Sequence, residues 1–170
     1  MSNPEVWLRG VIVAGVPTLL QPVAHSLIQC GEEVTAVVPG LTPEEIWMRP
    51  GGAASIGFHA RHAAGSLDRL LTYARGEQLS AAQLAAFKSE SASESLPEAG
   101  AALTARFDAA ILRALEQLRL TSEGTLLEPR KVGRAGLPST VVGLLFHAAE
   151  HTQRHIGQLV TTVKIVRGRA

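Results

Sequence analysis

Apolar residues recur at steps of three and four along four stretches of the chain, a spacing that predicts four long helices with one buried face each. In the first, Leu20, Val23, Leu27, Cys30, Val34 and Val37 form one stripe. Pro22 falls in its first turn, where no intrahelical N–H bond is lost, and Pro39-Gly40 ends the run. A second helix begins after an N-cap at Ser55, carries Ile56, Ala60, Ala63, Leu67, Leu70 and Ala74 on one face, and closes at Gly76. A third, from Glu98 just after Pro97 to about Leu120, turns Leu103, Phe107, Ala110, Ala114 and Leu118 inward. The fourth and longest runs from Ser139 to about Val166 with Val141, Leu145, Ala148, Thr152, Ile156, Leu159 and Val163 inward. The expected fold class is all-α, a four-helix bundle.

The connection from Gly76 to Pro97 is long for antiparallel neighbours, even with a short helix at Ser80 to Phe87 inside it. A crossover of that length lets helices two and three run parallel instead of up-down-up-down. Ser89 to Ser95 is rich in Ser and Glu and is expected to be mobile. No internal repeat is visible, and 170 residues suit a single domain spanning 1–170.

Composition agrees with helix packing: alanine and leucine dominate, and aromatics are only 4% of the chain. The single Cys30 has no partner for an internal disulfide, and residues 1–5 lack the basic start and apolar run of a secretory signal, so the expectation is a cytoplasmic protein. The apolar stretch Val11 to Leu20 is too short to span a bilayer, so no membrane association is expected. A net charge of +1 with interleaved acids and bases offers no footprint for nucleic acid and leaves a small-molecule substrate as the expected partner.

The chemical signal is the histidines. Of six, His25, His59, His62, His147, His151 and His155, five fall in the second and fourth helical segments. His147, His151 and His155 follow at i, i+4 spacing, which stacks them along one ridge. Neighbours in such a series have Cβ atoms about 6 Å apart and can converge on one ion, whereas His147 and His155 are separated by roughly 12 Å of rise. One ion must therefore take the upper or the lower pair. His151 and His155 lie at the edge of the apolar stripe and His147 lies further towards solvent, so the lower pair is better placed. A third ligand has to come from another helix. Helix two offers His59 and His62, and periodicity leans to His59, which is nearer the apolar face. No acidic general base sits between the pair as in HExxH; Glu150 points elsewhere on the helix. His25, on the polar side of helix one, is expected to be an ordinary surface or hydrogen-bonded residue.

The segment His147-Ala-Ala-Glu-His151-Thr-Gln-Arg-His155-Ile-Gly157-Gln158 resembles the last-helix signature of the DinB-like superfamily, a His-x3-His pair followed shortly by Gly-Gln. Ser55-Ile-Gly-Phe-His-Ala-Arg-His62-Ala-Ala is similar to the family's Ser-to-His stretch, in which the histidine precedes a small apolar pair. This resemblance selects His62 over His59 and gives the metal ligands as His62, His151 and His155. It further implies up-down-down-up topology, a homodimer, and a nickel, zinc or similar divalent ion. Relatives include transferases that use bacillithiol or mycothiol and a mycothiol-dependent maleylpyruvate isomerase. The chain departs from the pattern in Ile156, where arginine is common, and in the extra His59 and His147.

Three neutral imidazoles would leave the ion's charge intact, so a water or thiol beside it would lose its proton more readily. The expected function is a metal-dependent enzyme of thiol-transferase or hydrolase type, with a low-molecular-weight thiol as co-substrate in the first case. The alternatives are a non-catalytic metal-binding or stress-response protein, and a structural dimer with a vestigial site. No Ser-His-Asp set or cysteine nucleophile can be assembled, and Cys30 sits on a core stripe. Gly157 is expected to permit close helix approach and Gln158 to make a structural hydrogen bond. The basic loop Glu128 to Gly136 reads as a solvated connector, and Trp47 and Met48 as cover for the bundle end or a pocket mouth.

Overall fold

The apolar stripes become the buried faces of long helices in a mostly helical chain. The computed structural model describes residues 4–90 and 99–168. Its α-helices are α1 (Gln21–Val37), α2 (Pro43–Trp47), α3 (Ile56–Ala74), α4 (Ala81–Glu90), α5 (Gly100–Leu120) and α6 (Val141–Arg167), with two short strands, β1 (Pro129–Val132) and β2 (Leu137–Thr140). All inward positions predicted for the third and fourth helices are buried. On the first two, only Val37 and Leu70 are partly exposed while still packing on the core.

Side chains define where the helices begin. Ser55 is extended and its hydroxyl accepts from the Phe58 N–H, while Thr140 accepts from the Gly143 N–H ahead of α6. α2 went unseen in the apolar pattern because five residues hold no period, yet its signal was local. Thr42 Oγ1 accepts from Glu45 N–H at 3.3 Å and Glu45 Oε2 accepts from Thr42 N–H at 2.7 Å, a reciprocal capping box that buries Ile46.

α6 packs against both α3 and α1, and α5 against the same two helices. Ser26 of α1 donates to Gln153 of α6 at 2.9 Å, and Gln117 of α5 donates to the Leu71 carbonyl of α3 at 2.9 Å. The side chains of Leu27, Leu67, Phe107, Leu145, Ile156 and Leu159 fill the space between them, each with essentially no exposed surface. No helix among the described residues is long and apolar enough to cross a membrane.

Four expectations change or sharpen. The basic segment is a solvated connector, none of its residues being buried, but an ordered one, a β-hairpin: β1 pairs antiparallel with β2, and Arg130 donates to the Ala74 carbonyl at 2.8 Å, pinning the hairpin to the end of α3. α6 consequently starts at Val141, since Ser139 and Thr140 belong to β2. Ser89 and Glu90 are the last turn of α4, and Glu90 is buried; positions 91–95 of the stretch expected to be mobile, like Glu98 of the third helix, lie outside the described residues. Gly157 permits no close approach, because it is exposed and a methyl added there meets nothing within 4 Å. The tight contact lies at Gly100, where an added methyl would run into the carbonyl oxygens of Val38 and Pro39.

Gly157→Ala is therefore expected to raise stability by about 0.5–1 kcal/mol through helix propensity. Gly100→Ala should lower it by about 1–3 kcal/mol by forcing backbones apart. Urea unfolding of the two variants checks the pair; equal effects would contradict the packing described.

Candidate metal centre

The α3–α6 contact brings four histidines together. On α3, His59 and His62 are three residues apart; on α6, His151 and His155 are four apart, so each pair projects from one side of its helix. His62 Nε2 lies 3.1 Å from His151 Nε2, and His59 Nδ1 lies 3.0 Å from His155 Nδ1. The His155 ring stands 4.5 Å from the His62 ring and 4.7 Å from the His151 ring, centroid to centroid. One ligand-capable nitrogen from each of His62, His151 and His155 falls within 4.8 Å of the other two. Two imidazole nitrogens on a tetrahedral zinc-like ion, each at about 2.0–2.1 Å, would be roughly 3.3–3.4 Å apart. The His62–His151 separation is within a few tenths of an ångström of that value, so the donor set fits a small divalent ion.

What distinguishes His62 from His59 is its partner. Glu90 Oε2, from the end of α4, lies 2.9 Å from His62 Nδ1, and Arg69 holds the same carboxylate at 2.5 and 3.3 Å. A carboxylate only accepts, so His62 donates from Nδ1; in the neutral ring that tautomer puts the lone pair on Nε2, facing His151, the arrangement of a histidine supported for metal ligation. His59 is the more deeply buried of the two in its pairing with His155, at 6% exposure. Periodicity leaned to His59 because it reports depth, and depth is not ligation. Glu90 escaped sequence reasoning altogether: it sits 28 positions from His62 in a polar run and becomes a partner only when α4 folds back on α3.

Burial sets the protonation of the cluster. It pushes the His155 imidazole down to about 4, with the neighbouring His62, His151 and His59 adding to the effect. Burial and the neighbouring His62 likewise lower His59, and burial, His62 and His147 lower His151. Burial works to raise the Glu90 carboxyl, but the hydrogen bonds and charges of His62 and Arg69 outweigh it and hold the group below the usual carboxylate range. Phe58 closes one side, stacked on His62 at 5.4 Å and edge-on to His59 and His155.

The remaining candidates are outside the three-histidine group. His147 has its ring 5.4 Å from that of His151 but is exposed and bonds Glu150 at 2.7 Å, and His25 faces the Val11 carbonyl at 3.0 Å. Cys30 is buried in the core, where burial pushes its thiol up to about 12. Trp47 lies over Gly57 of α3, with the Arg61 guanidinium 4.7 Å from its ring. Gln158 is exposed and lines a cleft of about 520 Å³ that also meets His59, Arg154, Thr161 and Ala53.

A family model described as the DinB superfamily matches residues 26–159, which include every histidine of the cluster. Among solved structures, a conserved protein from Enterococcus faecalis superposes with a TM-score of 0.68 at 19% identity, covering 89% of this chain and 99% of that one, a likeness of fold. No functionally curated protein matches the chain.

Folding depresses the pKa values of His59, His151 and His155, so on acidification the unfolded chain takes up protons first. The metal-free protein should keep full stability above the ordinary histidine pKa near 6.5 and lose it progressively as pH falls towards about 4. Urea midpoints of chelator-treated protein between about pH 6.5 and 5, above the carboxylate range, should fall. The slope should be shallower in His155→Gln; a flat wild-type profile would contradict the burial described.

Proposed function

The chain belongs to the DinB superfamily, and on that premise we propose that it binds one divalent metal ion, nickel or zinc, through His62, His151 and His155, and is a metal-dependent enzyme acting on a small molecule. The observation that carries this is the convergence of the three imidazoles from α3 and α6, within 4.8 Å of one another. The ion would supply Lewis acidity, easing loss of a proton from a small thiol or a water and so serving either transfer to an electrophile or hydrolysis. The protein's own groups supply the rest. Glu90 orients His62, His59 faces His155, and Phe58 shields the cluster from water on one side. Arg154 and Gln158 offer donors in the adjoining cleft, suited to an anionic or carbonyl-bearing substrate.

Up-down-down-up topology is part of the same proposal. Pairing of His59 with His155 and of His62 with His151 supports antiparallel α3 and α6. Ser26 beside Gln153 and Gly40 near Arg167 support parallel α1 and α6, and Gly100 against Val38 with Asp108 near Gly31 supports antiparallel α1 and α5. A homodimer in the cytoplasm completes the reading, with exposed Trp7, Ile12 and Leu19 as apolar surface available for assembly.

A second reading, a metal-binding protein without catalysis, is favoured by one feature: among the described residues, the carboxylates of Glu90 and Glu150 beside the cluster are both already engaged. Glu90 is held by His62 and Arg69, and Glu150 by His147 and Arg154.

Tag-free protein is expected to carry about one metal ion per chain by elemental analysis, a stoichiometry set by the one three-histidine group among the described residues. His62→Ala, His151→Ala and His155→Ala should each weaken retention by more than the ~10–100-fold typical of losing a supporting partner, and His59→Ala by no more than that. Equal loss in His59→Ala and His62→Ala would sink the ligand assignment. Metal-dependent conjugation of an electrophile with one of several small thiols, or metal-dependent hydrolysis, separates the enzyme from the binding protein.

A further inference from the structure

Resting on the metal-binding reading, we propose that Glu90 is a positioning residue for His62, and that ion binding at the histidines and docking of α4 on α3 form one coupled equilibrium. α4 is not held by an apolar face. Leu84 and Phe87 are 45% and 50% exposed, and Glu90 is the residue of this helix that is buried. Its links to α3 are polar. Gln83 donates to Asp68 at 2.7 Å and to Thr72 at 2.8 Å, the Arg69 guanidinium lies 4.4 Å from the Phe87 ring, and Glu90 bonds Arg69 and His62. α3 is shaped to receive the carboxylate, because a methyl at Gly65 would collide with Glu90 and Arg69.

The two nitrogens of His62 therefore face two different things, Glu90 and the ligand cluster. An ion at Nε2 draws electron density from the ring and makes Nδ1–H a stronger donor, and it fixes the ring in the rotamer that meets Glu90. Coupling of this kind is reciprocal: whatever factor the docked Glu90 adds to ion affinity, the ion adds to the docked population of α4. Removing such a supporting carboxylate typically costs 10–100-fold in affinity, which bounds the factor at about that range. A ten-residue helix does not persist alone, so undocked α4 unfolds and its amides exchange.

Hydrogen–deuterium exchange of the full chain with and without zinc tests this at about pH 8, where free imidazoles are neutral. Zinc affinity is measured on the same samples by chelator competition. Zinc should slow exchange of the α4 amides by about 10–100-fold, beyond any change in α1, which carries no ligand. In Glu90→Gln the slowing should shrink and zinc affinity should fall by a matching factor. Zinc binding that leaves α4 exchange changed no more than α1 overturns the coupling and leaves the metal reading intact. Absence of zinc binding overturns both. Should Glu90→Gln fail to fold, the wild-type comparison decides alone.

Discussion

The contact between α3 and α6 is the constraint on which the candidate centre depends. α3 packs against α6, and small residues on both helices, Ala60 and Ala63 on α3 with Ala148 and Thr152 on α6, are buried. Imidazoles from the two helices reach one another at 3.0 and 3.1 Å. Larger residues of the same helices, Ile56 and Leu67 on α3 and Leu145 and Leu159 on α6, are buried in the close-packed core. Slipping either helix by one turn would carry His62 about 5.4 Å away from His151 and dissolve the cluster.

Holding four imidazoles in a half-buried space carries an electrostatic condition. Burial and mutual repulsion lower the pKa values of His59, His151 and His155, favouring the neutral imidazole, and a neutral imidazole is the form that offers a lone pair. The same burial that makes protonation unfavourable thus prepares the cluster for a cation. Glu90 and Arg69 add the complementary feature. Their ion pair, packed into the gap at Gly65, gives His62 a fixed acceptor and ties a helix with little buried apolar surface to the centre.

The comparisons and the site geometry bear on different questions. Membership of the DinB superfamily spans the helices that carry the histidines, whereas the Enterococcus faecalis structure speaks to fold. The chemistry rests on particular side chains: three convergent imidazoles, a supporting carboxylate, an aromatic wall, and a cleft bearing Arg154 and Gln158.

Much of this was legible in the chain itself. Periodicities of three and four located the long helices and nearly all their buried positions, because burial of one helix face is a local, repeating requirement. Spacing of four made His151 and His155 a half-site and left His147 outside for the same reason. The short helix α2 was also written locally, in Thr42 and Glu45, but carried no period to betray it. Periodicity left the choice between His59 and His62 open and leaned to His59, nearer the apolar face of α3; the family resemblance named His62, and the structure alone supplies a physical difference between them. That distinction is Glu90, brought across 28 positions by the return of α4. Which lone pair a histidine presents depends on the partner of its other nitrogen, and a partner drawn from a distant segment exists only once the chain has folded.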